Sequence, residues 1–462
     1  MDSLRDDLLA VLGPDGVRFA PDLNPDDLHD ETLHPDPVTP FAVCFPRDTD
    51  EVVGVVRIAA RHGRALTPRG SGTGLSGGAT PAPDGLVVSF ARMNRVRAIR
   101  VDDHVAVVEP GLTLRELDEA LAPHGLRYPV YPGETSGSIG GNVNTNAGGM
   151  RAVRHGVTRH HVVGLELVLV DGTVLRTGGP VVKNSSGYDL TQLVIGSEGT
   201  LALVTEVTLR LSPRLAHGAT VLLPFASLGE VTHVVPRIVA SGLEPAILEY
   251  LDTLTLSAIT RASDLEVGVA PEIAARAQAY LVVVLETRTA EQLDRDVADL
   301  ANLVDAAGAL EVYVLPPSAA TRLIEARERV FWVSKAAGAD EIIDVVVPRS
   351  RVPDFLEQAG DIATRHGAFI AGCGHVGDGN VHLSVYQPDD DARRALLREL
   401  FATGIALEGQ VSGEHGLGRD KQPYYLELTD PALVALQRRV KAVFDPDGRL
   451  NPYRHLDERP RP

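Results

Sequence analysis

The sequence predicts an α+β protein made of two unlike halves. Up to about Pro213, short β-type runs alternate with long glycine-rich loops, and few helices interrupt them. From about Leu215 the glycine density falls, and strands alternate with longer helices. This alternation predicts a sheet covered on one face by helices.

The first half contains clear local patterns for both kinds of element. Residues 49–62 and 113–124 repeat apolar side chains at helical spacing, and the second stretch begins at a threonine suited to cap a helix. Strands are predicted by the apolar runs at residues 85–89, 105–109 and 165–172.

The second half is predicted to alternate strands with helices. Strands are predicted at residues 221–224, 246–250, 280–286, 311–315 and 342–347. Helices are predicted at residues 290–306, 319–337 and 431–444, the last ending in the turn sequence Asp-Pro-Asp-Gly.

Composition limits the classes of function. The 462 residues include 44 Lys and Arg against 62 Asp and Glu, a net charge of −18 that argues against nucleic acid or an anionic membrane as partner. We find neither an apolar run of about 18 residues nor a signal-peptide pattern, so we expect a cytoplasmic protein without a membrane span. The two cysteines cannot form a disulfide framework or a cysteine-based metal cluster. Redox chemistry would therefore require a bound organic cofactor.

Two glycine-rich loops predict a cradle for a large anionic cofactor. Residues 72–77 satisfy the dinucleotide pattern G-x-G-x-x-G, but the following Ala-Thr-Pro-Ala-Pro-Asp-Gly cannot form the helix that a Rossmann site requires. Backbone N–H groups beside Arg69 could still form a phosphate-binding nest. Residues 132–149 add amide side chains that suit a flavin. The alternative is that both stretches are merely tight turns.

A histidine pair predicts a metal site in the second half. Asp378-Gly379 is the strongest two-residue hairpin signal, and such a turn would pair His375 with His382. Their Cβ atoms would then lie about 5 Å apart on one sheet face, which suits joint coordination of a divalent ion. The alternative is a pair of structural or surface histidines.

A third ligand is predicted in the glycine-flanked sequence around Glu414 and His415. Two histidines and a carboxylate with an open position form a catalytic rather than a structural ligand set. A helix cap and turn is the alternative interpretation of this loop.

Together, the first loop, residues 140–149 and residues 196–206 resemble the FAD domain of the vanillyl-alcohol oxidase superfamily. The similarity is greatest to a family that includes D-lactate dehydrogenase, D-2-hydroxyglutarate dehydrogenase and the FAD-binding polypeptide of glycolate oxidase. It implies a PCMH-type FAD-binding domain at residues 37–215 and a ferredoxin-like α+β substrate (cap) domain at residues 216–430. A C-terminal helix and tail, residues 431–462, would return to the FAD domain.

The resemblance also implies which residues bind FAD. Members with covalent flavin often carry a histidine in the first loop, and none lies between Pro68 and Gly78, so we expect non-covalent FAD. The residues implied to contact it are Arg69, Gly70, Ser71, Gly72, Thr73, Gly74, Pro132, Gly133, Thr135, Gly140, Gly141, Asn142, Asn146, Ala147, Gly148, Gly149, Glu198, Gly199, Val204 and Asn451.

The same resemblance implies the chemistry. Residues matching His375, His382 and Glu414 bind zinc or a similar divalent metal in this family, and the counterpart of His415 is the general base. Arg327 occupies the place of an arginine that binds the substrate carboxylate. The implied reaction is oxidation of a D-2-hydroxy acid to the 2-oxo acid, with hydride transfer to flavin N5.

Departures from the hydroxyglutarate enzymes favour a smaller acid. Phe331, Ile342 and Ser384 stand where those enzymes carry threonine, lysine and asparagine. We therefore favour a monocarboxylate such as glycolate, D-lactate or a longer, more apolar D-2-hydroxy acid.

Two alternatives belong to other classes of function. One is a metal-independent flavin oxidase of alcohols, sugars or peptidoglycan precursors, in which the histidines are structural. The other is an FAD-binding component of a multi-subunit oxidase. The sequence does not identify the electron acceptor or partner protein, and we also consider a homodimer.

Overall fold

The structure, a computed structural model, describes residues 2–36, 38–452, 454 and 456. The predicted domain limit at residue 37 and the tail at residues 457–462 lie outside the described residues. In chain order, the strands of the first half are β1 (Val17–Phe19), β2 (Ala42–Cys44), β3 (Leu66–Arg69), β4 (Leu86–Ser89), β5 (Val96–Arg100), β6 (Val105–Val108), β7 (Leu126–Arg127), β8 (Val162–Val168), β9 (Val174–Gly178), β10 (Leu203–Arg210) and β11 (Ser212–Pro213). Its helices are α1 (Asp2–Leu12), α2 (Thr49–Arg61), α3 (Leu114–Leu121), α4 (Ile139–Thr145), α5 (Ala152–His155) and α6 (Leu190–Val194).

Two larger sheets organise this half, and β7 pairs with β11 in a separate two-stranded sheet. Strands β2, β4 and β3 are parallel neighbours, with β1 antiparallel at one edge. A five-stranded antiparallel sheet follows, in the order β5-β6-β10-β8-β9. Each sheet has its own apolar core.

The second half is built on one larger sheet. Its strands are β12 (His217–Phe225), β13 (Ile247–Asp252), β14 (Ala279–Thr287), β15 (Tyr313–Val314), β16 (Glu341–Val346), β17 (Phe369–Gly374) and β18 (Asn380–Tyr386). Its helices are α7 (Leu228–Ala240), α8 (Thr253–Ala262), α9 (Pro271–Ala274), α10 (Ala290–Asp305), α11 (Pro317–Glu328), α12 (Val330–Ala336), α13 (Val352–Arg365), α14 (Asp390–Ala406), α15 (Gln422–Leu428) and α16 (Pro431–Phe444). The sheet is antiparallel, in the order β15-β12-β14-β13-β17-β18-β16.

The period of two along each strand divides this sheet into two faces. One face packs on α7, α10, α13 and α14 through a large apolar cluster. The expectation that helices cover only one face is wrong, because α8, α11 and α12 cover part of the other face. The uncovered remainder of that second face looks toward the first half, and it carries the polar residues described below.

One predicted helix is two helices in the structure. The pattern over residues 319–337 reads as continuous, but the backbone leaves the helical region at Arg329, where ψ is 2°. Helix α11 therefore ends at Glu328, just after Arg327, and α12 begins at Val330.

The two halves meet through ion pairs and through the end of the chain. Glu286 of β14 contacts Arg127 and Arg151 of the first half. Leu450 forms a bridge with Leu66 of β3, so the segment after α16 lies against the first half. Among the helices of the described part of the chain, we find none with both the length and the apolar character to cross a membrane.

Candidate active site

A cavity of about 480 Å³ lies between the two halves. One wall is formed by the glycine-rich loops of the first half, and the opposite wall is the open face of the second-half sheet. Most of the predicted cofactor residues line it: Arg69, Gly70, Ser71, Gly72, Thr73, Gly74, Pro132, Gly133, Gly140, Gly141, Asn142, Ala147, Gly148, Glu198, Val204 and Asn451.

The first loop has a conformation that only glycine adopts without strain. Gly72 has φ of 78°, and a Cβ at this position would lie 2.2 Å from the Arg69 guanidinium. That guanidinium donates to backbone carbonyls, at 3.3 Å to Gly70 and 3.4 Å to His29. Arg69 thus holds the loop through these carbonyls and lines the cavity beside the glycine backbone, as a phosphate-binding nest requires.

Four predicted cofactor residues do not line the cavity. Thr135 accepts a hydrogen bond from Arg115, and Asn146 accepts one from the Arg159 N–H. Gly149 and Gly199 occupy left-handed backbone positions, where a Cβ would meet neighbouring backbone or proline atoms. These residues shape the loops that carry the lining residues.

The predicted hairpin register is wrong. Cys373, not His375, pairs with His382 across β17 and β18. The carbonyl of His375 accepts N–H bonds from Asp378, Gly379 and Asn380, so the connection is longer than a two-residue turn.

The two imidazoles nevertheless meet, because the longer loop folds His375 back over the strand. Their ring centroids are 4.9 Å apart. Glu414 joins them from the loop after α14: its Oε1 lies 3.0 Å from His375 Nε2 and 3.4 Å from His382 Nε2. One nitrogen or oxygen from each residue lies within 4.8 Å of the others, an arrangement that could hold a metal ion.

Buried carboxylates surround this cluster and favour a cation there. Glu249 accepts a hydrogen bond from His375 Nδ1, which leaves Nε2 directed at Glu414. Asp344 lies 3.6 Å from His382 Nδ1, and both Glu249 and Asp344 are fully buried. Burial raises the pKa of Glu249, but the neighbouring His375 imidazole and Arg327 guanidinium outweigh burial and lower the pKa to about 2. The donor set therefore fits a divalent ion held by His375, His382 and Glu414.

Asp344 also holds the loop that carries the candidate base. One of its oxygens accepts the N–H groups of Gly413, Glu414 and His415 at 2.8 to 3.1 Å. His415 stacks on His382 with 5.1 Å between ring centroids. Burial lowers the pKa of His415 to about 3, against the opposing effect of the Asp344 carboxylate, so the ring is neutral at pH 7.

Arg327 reaches the same cavity from the end of α11. Its Nε donates to Glu249 at 2.8 Å, while Nη2 is buried and has no hydrogen-bond partner in the described part of the chain. A buried guanidinium with one unused donor is suited to receive a carboxylate.

Glu249 and Asp344 were missed by the sequence reasoning. Each is a single carboxylate within an apolar strand, Ile-Leu-Glu-Tyr-Leu and Ile-Ile-Asp-Val-Val. Fully buried carboxylates occur almost only where they have a charged or hydrogen-bonding partner. A lone carboxylate within an apolar strand could therefore have indicated that Glu249 and Asp344 belong to a polar site.

Gly148, on the first-half wall of the cavity, lies close to the opposite wall. A Cβ there would lie 2.8 Å from Glu414 Oε2, so the glycine allows the candidate metal ligand to reach the cofactor loop. The fold and site together define a class of protein in which a glycine-lined cofactor cradle faces a polar cluster on a second sheet.

Comparison with known families identifies that class. Residues 40–178 match the family of FAD binding domains, and residues 214–455 match the C-terminal domain of FAD linked oxidases. The chain belongs to the FAD-linked oxidases and is an FAD-linked oxidoreductase. The predicted resemblance and α+β fold are confirmed.

Several relatives are similar over nearly their whole length. An uncharacterized FAD-linked oxidoreductase of Mycobacterium tuberculosis is 50% identical over 93% of this chain and 94% of its own. A D-lactate dehydrogenase of Archaeoglobus fulgidus is 33% identical over 89% and 90%. Glycolate oxidase subunit GlcD of Bacillus subtilis is 35% identical over 89% and 88%. The solved structure of 4-ethylphenol oxidase from Gulosibacter chungangensis has the same fold, with a TM-score of 0.78 at 19% identity over 98% of this chain and 96% of its own.

Proposed function

We propose that this protein oxidises a D-2-hydroxy monocarboxylate to the corresponding 2-oxo acid, using non-covalent FAD and a divalent metal, with zinc as the first candidate. The observation that carries the proposal is the convergence in one cavity of the glycine cradle, the His375–His382–Glu414 cluster, the unused donor of Arg327, and His415. Relatives named D-lactate dehydrogenase and glycolate oxidase subunit support this choice of substrate class.

Each group has a separate task in the proposed reaction. Arg327 receives the substrate carboxylate at Nη2 and thereby orients C2 in the cavity. His415, neutral and held through its backbone by Asp344, takes the hydroxyl proton at Nε2, because its Nδ1 lies on the Asp344 side at 3.9 Å from that carboxylate. When bound at these residues, FAD would supply the hydride acceptor and the divalent ion would lower the pKa of the hydroxyl.

Anaerobic bleaching of the flavin tests the proposal. The purified protein is mixed with D- and L-2-hydroxy acids in turn, and its visible absorbance is followed. We expect D-2-hydroxy acids to bleach the flavin and NADH to leave it oxidised. Bleaching by NADH or by simple alcohols, with no response to any hydroxy acid, would contradict the proposal.

A metal assay completes the test. We expect the wild-type protein to contain a bound divalent ion. A chelator should remove this ion, and the metal-free protein should no longer be bleached by D-2-hydroxy acids. Undiminished bleaching in a metal-free preparation would favour the metal-independent alternative.

A further inference from the structure

The cavity extends beyond the metal-binding cluster along the same sheet face. His382 pairs with Asp344 across β18 and β16, and two residues further along these strands Ser384 pairs with Ile342. Ala371 of β17 lies on the other side of Ser384 in the same row. Because a strand rises about 3.3 Å per residue, this second row lies about 7 Å from the His382 row.

The second row presents a largely apolar surface. Ser384 has its hydroxyl engaged, because it donates to Ser334 Oγ of α12 at 2.8 Å. Ile342 and Ala371 line the cavity and are only partly covered by protein. A ligand that reaches this row would therefore contact mainly apolar side chains.

Helix α12 places more apolar side chains along this row. Ser334 of α12 contacts Ser384 of this row, and Val330 and Phe331 precede Ser334 by four and three residues, so they lie about one turn away on the same side of α12. Phe331 and Val330 both line the cavity. We call the space bounded by Val330, Phe331, Ile342 and Ala371 the tail compartment.

Glu328 contributes a negative group to the same cavity. Its Oε1 is buried and has no hydrogen-bond partner among the residues that the structure describes. Its Cγ lies 4.0 Å from the position that a Cβ on Gly133 would take, so it faces the cofactor loop. Burial raises the pKa of Glu328 to about 7, with Arg329 and Arg115 opposing the shift. A second carboxylate on a substrate would enter a site that already contains an unpaired acid.

We propose that the substrate is a D-2-hydroxy acid with an apolar side chain of four or more carbons held in the tail compartment, and that Glu328 selects against a second carboxylate. This inference rests on the proposed function, since a carboxylate on Arg327 is what directs the side chain along Phe331. It deepens that proposal by preferring long apolar acids to glycolate and D-lactate.

A substrate series on the FAD-loaded enzyme tests the tail compartment. The series is glycolate, D-lactate, D-2-hydroxybutyrate, D-2-hydroxyhexanoate, D-phenyllactate and D-2-hydroxyglutarate, compared by kcat/KM for flavin reduction. Burial of one methylene corresponds to roughly a four-fold gain, so D-2-hydroxyhexanoate should exceed D-lactate by about 50-fold. The matching 2-oxo acids should follow the same order in Kd, measured by perturbation of the flavin absorbance.

The outcomes separate this inference from the function on which it rests. If no 2-hydroxy acid reduces the flavin, the proposed function fails. If glycolate or D-lactate performs as well as the six-carbon acid, the proposed function stands and the tail compartment is overturned.

Two variants test the lining of the compartment. In Phe331→Ala and Ile342→Ala, we expect the preference for D-2-hydroxyhexanoate over D-lactate to fall by about ten-fold, because apolar contact with the chain is lost. FAD content is measured in both preparations, and two independent variants guard against one that fails to fold. An unchanged preference in folded protein would overturn the assignment.

Glu328→Gln tests the charge selection, with the exposed Glu325→Gln on the same helix as matched control. At pH 8, where the Glu328 carboxyl is mostly ionised, we expect the ratio of D-2-hydroxyglutarate to D-2-hydroxyhexanoate activity to rise about ten-fold or more in the first variant and to stay unchanged in the second. An equal ratio in both variants would remove Glu328 from the proposal.

Discussion

Replacing Glu286 with glutamine should weaken the contact that holds the two halves together. The Glu286 carboxylate lies 3.0 and 2.5 Å from the two terminal nitrogens of Arg127, and 2.9 Å from Arg151 Nη1. The side chain of Glu286 is only 13% exposed, which limits screening by solvent. Burial raises its pKa, but the two arginines outweigh burial and lower the pKa from 4.5 to about 2.

This pKa sets the expected magnitude. A fall from 4.5 to about 2 corresponds to about 3 kcal/mol of stability at pH 7, at about 1.4 kcal/mol per pH unit. Since the folded pKa is the lower one, the contribution is complete above pH 4.5 and is lost as the pH falls toward 2. By pH 3, about 2 kcal/mol of it should be gone.

Thermal unfolding of the wild-type protein and Glu286→Gln at pH 7 and pH 3 measures the effect. At pH 7 the variant should melt roughly 6 to 12 °C lower, at about 2 to 4 °C per kcal/mol for a domain of about 150 to 250 residues. The difference should shrink by more than half at pH 3. The matched control is Glu399→Gln, which removes a carboxylate that is 41% exposed and should cost about 0.5 kcal/mol or less. Equal melting of wild type and Glu286→Gln at pH 7, or a difference independent of pH, would refute this account.

Three further predictions concern the cavity. Gly72→Leu should abolish FAD binding, because its Cβ would displace the Arg69 guanidinium and fill the cradle, whereas Gly360→Leu on the exposed side of α13 should leave the FAD absorbance intact. His382→Ala and Glu414→Ala should each lose about one equivalent of divalent metal by elemental analysis while retaining FAD, and normal metal content with full turnover would show these side chains to be structural. His415→Asn should keep metal and FAD yet reduce flavin less rapidly by roughly 10²- to 10⁴-fold, because asparagine cannot take the hydroxyl proton. Reduction at the wild-type rate in a metal-replete preparation would exclude His415 as the base.

Local sequence patterns correctly predicted helices whose ends are set by residues adjacent in the sequence. Helix α16 runs from Pro431 to Phe444 as expected, because proline suits a first helical turn and Asp-Pro-Asp-Gly stops the helix. Helix α3 begins after Thr113, whose side chain and Glu116 form the reciprocal capping bonds.

The hairpin register could not be predicted from its turn signal. Asp-Gly favours a two-residue turn when the flanking strands alone decide the pairing. Here Gly379 packs against the backbone of Val347, so close that a Cβ would lie 2.0 Å from the Val347 carbonyl oxygen. This contact between distant parts of the chain lengthens the loop and moves His375 out of the strand.

The candidate ligands were easier to predict than the groups that orient them. His375, His382 and Glu414 stand in short motifs with recognisable chemistry, and the structure brings them together. Glu249 and Asp344 acquire their roles only when β13 and β16 are placed beside the histidine strand, and that placement depends on the order of the whole sheet. The sequence predicted Arg327 as a substrate-binding residue. It did not predict the hydrogen bond from Arg327 to Glu249, which forms because α11 ends at Glu328, next to Arg327.

Glu198 shows why the cofactor site and the reacting groups cannot be treated as separate units. The resemblance assigns it to the residues that contact FAD, yet its carboxylate accepts the N–H groups of Leu417 and Gly418 at 2.7 and 2.8 Å. Its backbone carbonyl also accepts from Asn451 at 2.7 Å. Glu198 holds these bonds from a left-handed backbone position, φ of 53°, which costs a residue with a side chain about 1 kcal/mol or more. The loop that carries His415 is therefore held on one side by Asp344 of the second half and on the other by a cofactor residue of the first. A change in how the halves meet must consequently strain or break one of these two sets of hydrogen bonds, and both of them position the base against the cofactor cradle.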